Sequence, residues 1–132
     1  MPSALCVGLD AVDVRDIERS IADFGERYLA RVYTPREIGY AFASRDRATC
    51  ARRLAARWAA KEATIKALGA SDRGIPPRAI ELARGEGGAV ELALSGAALA
   101  AARETGASSL AVSVSHEGNL ALAVVICTRV KP

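Results

Sequence analysis

Glu62 and Lys66 stand one helical turn apart in Trp58-Ala59-Ala60-Lys61-Glu62-Ala63-Thr64-Ile65-Lys66, which sets a carboxylate and a compact cation along one edge of a helix. Two readings fit that spacing: an ordinary surface pair adding about 0.2–0.5 kcal/mol, or a partly desolvated pair beside Trp58 that is turned to chemistry. A second acid, Asp10, closes the run Ala4-Leu5-Cys6-Val7-Gly8-Leu9-Asp10, where a strand exit either presents a carboxylate to a ligand or caps the next helix. His116, the only histidine, follows Ser115 at a strand tip. It is either a packed structural residue or a side chain placed to reach a ligand. Hard carboxylate oxygens suit Mg²⁺, which takes one or two protein carboxylates and completes its shell with water and phosphate. One histidine and scattered cysteines cannot supply a tetrahedral zinc set. There is no Walker A loop, Rossmann glycine fingerprint, Gly-x-Ser-x-Gly elbow or His-Glu-x-x-His pattern.

The elements that must position these residues are legible from local pattern. Arg52 to Leu68 reads as one helix of strong formers, uninterrupted until Gly69, with Leu54, Trp58, Ile65 and Leu68 as its apolar stripe. Ala4 to Asp10 reads as a short buried strand, with Gly8 marking a close backbone approach. Val12 to Leu29 carries Val14, Ile17, Ile21 and Phe24 at amphipathic spacing, with a helix end near Gly25. Thr34-Pro35-Arg36-Glu37 is a capping box opening a helix to about Ala43, and Ser44 to Asp46 breaks the chain before the long helix. Gly69 to Pro77 reads as an irregular loop. Ala79 to Ala83 and Ala89 to Leu94 flank a glycine-rich turn, and Ser95 caps an alanine-rich helix ending at Gly106. Leu110 to Ser115, a turn at Glu117-Gly118-Asn119, and Leu120 to Val130 complete a second hairpin. The order implies an α+β fold, an antiparallel sheet packed on one side by the long helix.

With 132 residues, 51% hydrophobic and 25% charged, the sequence fits a single globular domain over 1–132. The net charge of +3 is unevenly placed: between Arg45 and Lys66 lie seven Arg or Lys against Asp46 and Glu62 alone. That density suits an anionic partner, a phosphate compound or an acidic protein, or else a solvated helix face. The longest apolar run, Leu120 to Cys127, is far short of a bilayer span, and no basic segment precedes the first apolar stretch, so a cytoplasmic location without membrane association is expected. Cys6, Cys50 and Cys127 are expected to remain free thiols.

Taken together, Val7-Gly8-Leu9-Asp10, Trp58-Ala59-Ala60-Lys61-Glu62-Ala63 with Lys66-Ala67, and Ser113-Val114-Ser115-His116 resemble the holo-acyl-carrier-protein synthase family, the small 4'-phosphopantetheinyl transferases. The resemblance covers nearly the whole chain. It implies the 4'-phosphopantetheinyl transferase fold and transfer of the phosphopantetheine arm of coenzyme A to a serine of an apo acyl carrier protein, releasing adenosine 3',5'-bisphosphate. Asp10 and Glu62 would hold Mg²⁺ against the diphosphate, Lys66 would add positive charge, Ser115 and His116 would contact the nucleotide's phosphate portion, and Arg57 is the candidate for the 3'-phosphate. The general-base candidates are Glu62, acting through a metal-bound water, and Glu37. The family's site lies between subunits of a homotrimer, which implies that His116 serves a neighbour's acid pair. Arg15, Arg19 and the basic start of the long helix are candidates for docking an acidic carrier helix, from fatty acid, polyketide or peptide assembly.

Two departures from the family pattern stand out. Asp16 occupies a place where members often carry arginine, and Gly87-Gly88-Ala89 replaces the usual Gly-x-Pro. The competing expectation is a non-catalytic domain binding RNA or an acidic protein through the basic helix; a content of only 5% aromatic residues, and no stacking motif, argue against nucleic acid.

Overall fold

The structure is a computed structural model that describes residues 3–130. Eleven residues form β1 (Ser3–Asp13), longer than the apolar pattern predicts, so Asp10 sits inside the strand and not at its exit. The cap of the next helix is Asp13, whose carboxylate accepts from the Arg15 backbone amide. Helix α1 (Val14–Phe24) buries Val14 and Ile17 and ends where Gly25 takes a φ of 55°, a left-handed turn that glycine adopts without penalty. Beyond it the chain resumes as α2 (Glu26–Val32). The predicted capping box is present: Thr34 and Glu37 exchange side-chain and backbone bonds at the start of α3 (Pro35–Ala41). Helix α4 (Arg47–Leu68) begins at Asp46, which accepts from the Thr49 amide, and ends at Gly69.

The second half supplies β2 (Ile80–Arg84), β3 (Val90–Leu94), α5 (Gly96–Glu104), β4 (Ala107–Glu117) and β5 (Leu120–Val130). The strands form two antiparallel sheets, one ordered β1-β5-β4 and the other pairing β2 with β3. Ser95 stands at the cap of α5, but its side chain makes no capping bond. His116 is the penultimate residue of β4, so the strand tip reaches beyond Ser115 and the turn shortens to Gly118-Asn119.

Helix α4 lies across the three-stranded sheet on a seam of small residues. Ala59, Ala60, Ala63 and Ala67 are buried on the helix, Ala121 and Ala123 on β5, and Gly8 on β1. A Cβ at Gly8 would collide with the Ala63 carbonyl, which confirms the close backbone approach expected there. Large side chains at these positions would hold helix and sheet apart, so the alanines set the distance across which acids on one can meet cations on the other. Leu54 and Leu68 fill the flanks, each adding roughly 1.5–3 kcal/mol by burial.

Strand β1 is not buried on both sides as its composition suggests. Leu5, Val7 and Leu9 face outward at 76, 65 and 59% exposure, beside Ile126 of β5 at 45%. Alternation turns Cys6, Gly8 and Asp10 toward α4 instead.

Candidate active site

The close packing of α4 on β1 carries Lys66 to Asp10. The Lys66 Nζ donates to Asp10 Oδ1 at 3.0 Å and to the Leu9 carbonyl at 3.0 Å. Glu62, one turn back, lines the same cleft as Asp10, together with Trp58, Tyr28 and Ile17. The Glu62 carboxyl is raised above the ordinary glutamate value, by burial first and by the neighbouring Asp10 charge second, with Lys66 pulling the other way. Its repulsion with Asp10 is the signature of two carboxylates sharing a site. Asp13 and Asp16 also border this cleft, but they are engaged by Arg15 at 2.7 Å and Arg19 at 3.4 Å. Among the described residues Glu62 has no hydrogen-bond or ion-pair partner, and no group of three or more His, Cys, Asp or Glu is placed to hold a metal ion. The donors available are therefore the two acids alone, which fits a cation that draws the rest of its shell from water and phosphate.

A second cleft opens on the next face of α4, lined by Arg52, Arg53, Arg57, Arg84, Tyr40, Ser115 and His116. Among the described residues no carboxylate lines it. Each arginine is tied to a neutral acceptor: Arg52 to the Thr49 hydroxyl, Arg53 to the Tyr40 carbonyl, Arg57 to the Arg53 carbonyl and Arg84 to the Gly88 carbonyl. Four cations whose hydrogen bonds all go to neutral acceptors suit an anionic ligand. Arg57 is 4% exposed, and burial lowers its pKa against the opposing pull of the Glu37 charge, with Arg84 and Arg53 adding smaller lowering contributions.

The structure thus brings Asp10, Glu62 and Lys66 together, and it gathers Arg57, Ser115 and His116 separately. The two clefts share no lining residue. In register, Val12 and His116 flank Ala121 from β1 and β4, so His116 is held apart from the acids by the whole width of β5.

Glu37 is not available as a base. It is 1% exposed, ion-paired to Lys61 at 2.7 Å, and accepts from the Thr34 and Leu82 amides. Sequence reasoning also passed over Lys61, Tyr40, Arg53 and Arg84. Arg53 and Arg57 are four residues apart on α4, a spacing that flags a shared face, but nothing local joins Arg84 or Tyr40 to them.

These features coincide with relatives of known kind. Residues 6–125 match the family model of the 4'-phosphopantetheinyl transferase superfamily. A holo-[acyl-carrier-protein] synthase from Anaeromyxobacter dehalogenans is 45% identical over 125 residues, covering 92% of this chain and 94% of the relative. One from Desulfovibrio desulfuricans is 40% identical over 121 residues, covering 91% and 94%. Among solved structures, a Chronobacterium ammoniagenes ACPS-CoA complex superposes with a TM-score of 0.84 at 28% identity, over 97% of this chain and 99% of that one. The holo-[acyl-carrier-protein] synthase of Helicobacter pylori in complex with coenzyme A gives 0.77 at 27% identity, over 92% and 98%. The chain belongs to the holo-[acyl-carrier-protein] synthase family of that superfamily. That membership sets aside the non-catalytic alternative and bears out the expected α+β transferase fold.

Proposed function

We propose that this chain, acting as a single domain, transfers the 4'-phosphopantetheine arm of coenzyme A to a serine of an apo acyl carrier protein. The observation that carries the reading is that Asp10 and Glu62 line one cleft while Lys66 pairs with Asp10 at 3.0 Å. The serine oxygen attacks the phosphorus that bears the pantetheine arm, the diphosphate bond breaks, and adenosine 3',5'-bisphosphate leaves. Mg²⁺, held by Asp10 and Glu62 when bound, supplies positive charge beside that diphosphate. Lys66 adds a point charge for the same oxygens, which is what phosphoryl transfer chiefly requires. Glu62, whose carboxyl holds a proton more tightly than usual, is the base we assign to the serine hydroxyl. The arginine cleft with Ser115 and His116 takes the nucleotide, Arg57 receiving the 3'-phosphate. At about 490 Å³ for this cleft and 420 Å³ for the acidic one, both fall in the range of small-ligand sites.

The separation of the two clefts within one protomer supports a site completed between subunits, with His116 of one chain facing the acid pair of another. The outward apolar face of Leu5, Val7, Leu9 and Ile126 is the surface we assign to a homotrimer. Arg15 and Arg19 on α1, with the basic start of α4, are the assigned dock for the acidic carrier. No helix among the described residues is long and apolar enough to cross a membrane. Free Cys6, Cys50 and Cys127 agree with a cytoplasmic protein.

The test is to incubate the protein with Mg²⁺, coenzyme A and apo carrier and to weigh the carrier; one phosphopantetheine mass is expected. No gain on several carriers would remove the reading. Asp10→Ala and His116→Ala should each be inactive alone and recover part of the activity when refolded together. Failure to complement would place each site inside one subunit.

A further inference from the structure

The arginine cleft contains an arrangement that the transfer chemistry does not require. Tyr40, in the last turn of α3, has the guanidinium carbons of Arg57, Arg53 and Arg84 at 4.3, 4.6 and 5.4 Å from its ring centroid. All lie inside the roughly 6 Å within which a cation is drawn to an aromatic face. Arg53 and Arg57 come from successive turns of α4 and Arg84 from the end of β2, so three elements meet at one ring.

Like charges gathered this closely repel one another, and among the described residues no carboxylate lines the cleft, Glu37 acting on Arg57 only from the buried side. Their hydrogen bonds go to backbone carbonyls, at 3.0 Å from Arg53 to Tyr40, 3.1 Å from Arg57 to Arg53 and 3.1 Å from Arg84 to Gly88. The negative face of Tyr40 is therefore the attractive electrostatic element common to all three. Arg57 has an Nε that is buried and without a partner among the described residues, so the cluster retains donor capacity for an anion.

We propose that Tyr40 is the positioning residue of this anion site: its ring collects Arg53, Arg57 and Arg84 into a preformed cluster that favours a nucleotide with a second phosphomonoester over one with a single phosphate. The inference rests on the reading of this cleft as the nucleotide site and assigns the residue that sets its preference. Preorganisation matters because three flexible arginines would otherwise be ordered, against their mutual repulsion, at the moment of binding.

The experiment replaces Tyr40 in the full chain with Phe and then with trifluorophenylalanine, which keeps the ring's shape while removing its negative face. Affinities for adenosine 3',5'-bisphosphate and for adenosine 5'-monophosphate are measured by calorimetry. Tyr40→Phe should bind both nucleotides within about 2-fold of the parent. The fluorinated ring should weaken the bisphosphate on the order of tenfold, with the monophosphate unchanged. In turnover, KM for coenzyme A should rise with kcat held. Equal affinities along the series, or equal losses for both nucleotides, would overturn the assignment, because a packing role does not follow the ring's charge distribution. If the parent protein itself shows no preference for the bisphosphate, the nucleotide reading of the cleft fails instead. The series is then read with inorganic pyrophosphate, where a flat response overturns the role of Tyr40 and a graded loss upholds it.

Discussion

Helix α4 carries two lysine–carboxylate pairs five residues apart, and they do different work. Lys61 and Glu37 meet at 2.7 Å with both side chains fully buried, while Lys66 and Asp10 meet at 3.0 Å with the lysine half exposed. Around Lys61 every neighbour is committed: its Nζ also donates to the Pro77 and Ile80 carbonyls, and Glu37 accepts from the Thr34 and Leu82 amides. That network binds α3, α4 and β2 together with no capacity left over. Burial lowers the Lys61 pKa, and the Glu37 charge and hydrogen bond oppose that loss. Asp10 of the Lys66 pair lines a cleft that it shares with Glu62, which has no partner among the described residues, and a further ligand can enter. Residue type is the same in both; spare coordination and solvent access separate a strut from a site.

The sharpest way to break this comparison is Lys61→Met. It leaves the Glu37 charge buried without its partner, and urea unfolding should show a loss of about 3–5 kcal/mol. A loss under about 1 kcal/mol would mean the pair is dispensable and the contrast false.

Lys66→Ala tests the other arm. Removing one preorganised positive group from a phosphoryl-transfer site should lower kcat/KM by about 10²-fold, while stability changes by less than about 1 kcal/mol because the pair is solvent-screened. A stability loss as large as that of Lys61→Met would erase the distinction.

The smallest effect sharpens the acid pair. The Glu62 carboxyl is raised in the folded chain, so its contribution to stability is fully present below the usual glutamate range and is lost as pH rises through the raised value. Glu62→Gln should match the parent's melting temperature at low pH and gain on it as pH rises through that window. Mg²⁺ should raise the parent's midpoint more above the window than below it, since the ligand must be ionised, and should raise the variant's less. A difference between parent and variant that is independent of pH would exclude a strained, shared acid site.

Much of the fold is written in short-range signals. The Thr34 and Glu37 capping box, the long run of helix formers to Gly69, the two hairpins and the close approach at Gly8 each depend on a few neighbouring residues. Glu62 and Lys66 are joined by helical spacing, but Asp10 is joined to them in the sequence only by the family resemblance. The misreadings have a common physical cause. Leu5, Val7 and Leu9 look like core because apolar residues occupy both sides of β1, and hydropathy does not record which side meets α4. Glu37 looked like a capping acid with catalytic capacity, because its partner Lys61 lies 24 residues on and nothing local links the two.

By itself the sequence determined most of the elements, the Thr34–Glu37 capping box, the helix end at Gly69 and the Glu62–Lys66 spacing, since these follow from backbone preferences and spacing within a turn. Only the tertiary structure decided which charges are buried and which are free, which face of the sheet lies open, and that Tyr40 and Arg84 join Arg53 and Arg57 in one cluster. Those outcomes depend on desolvation and on distances between distant segments, and both are properties of the packed chain.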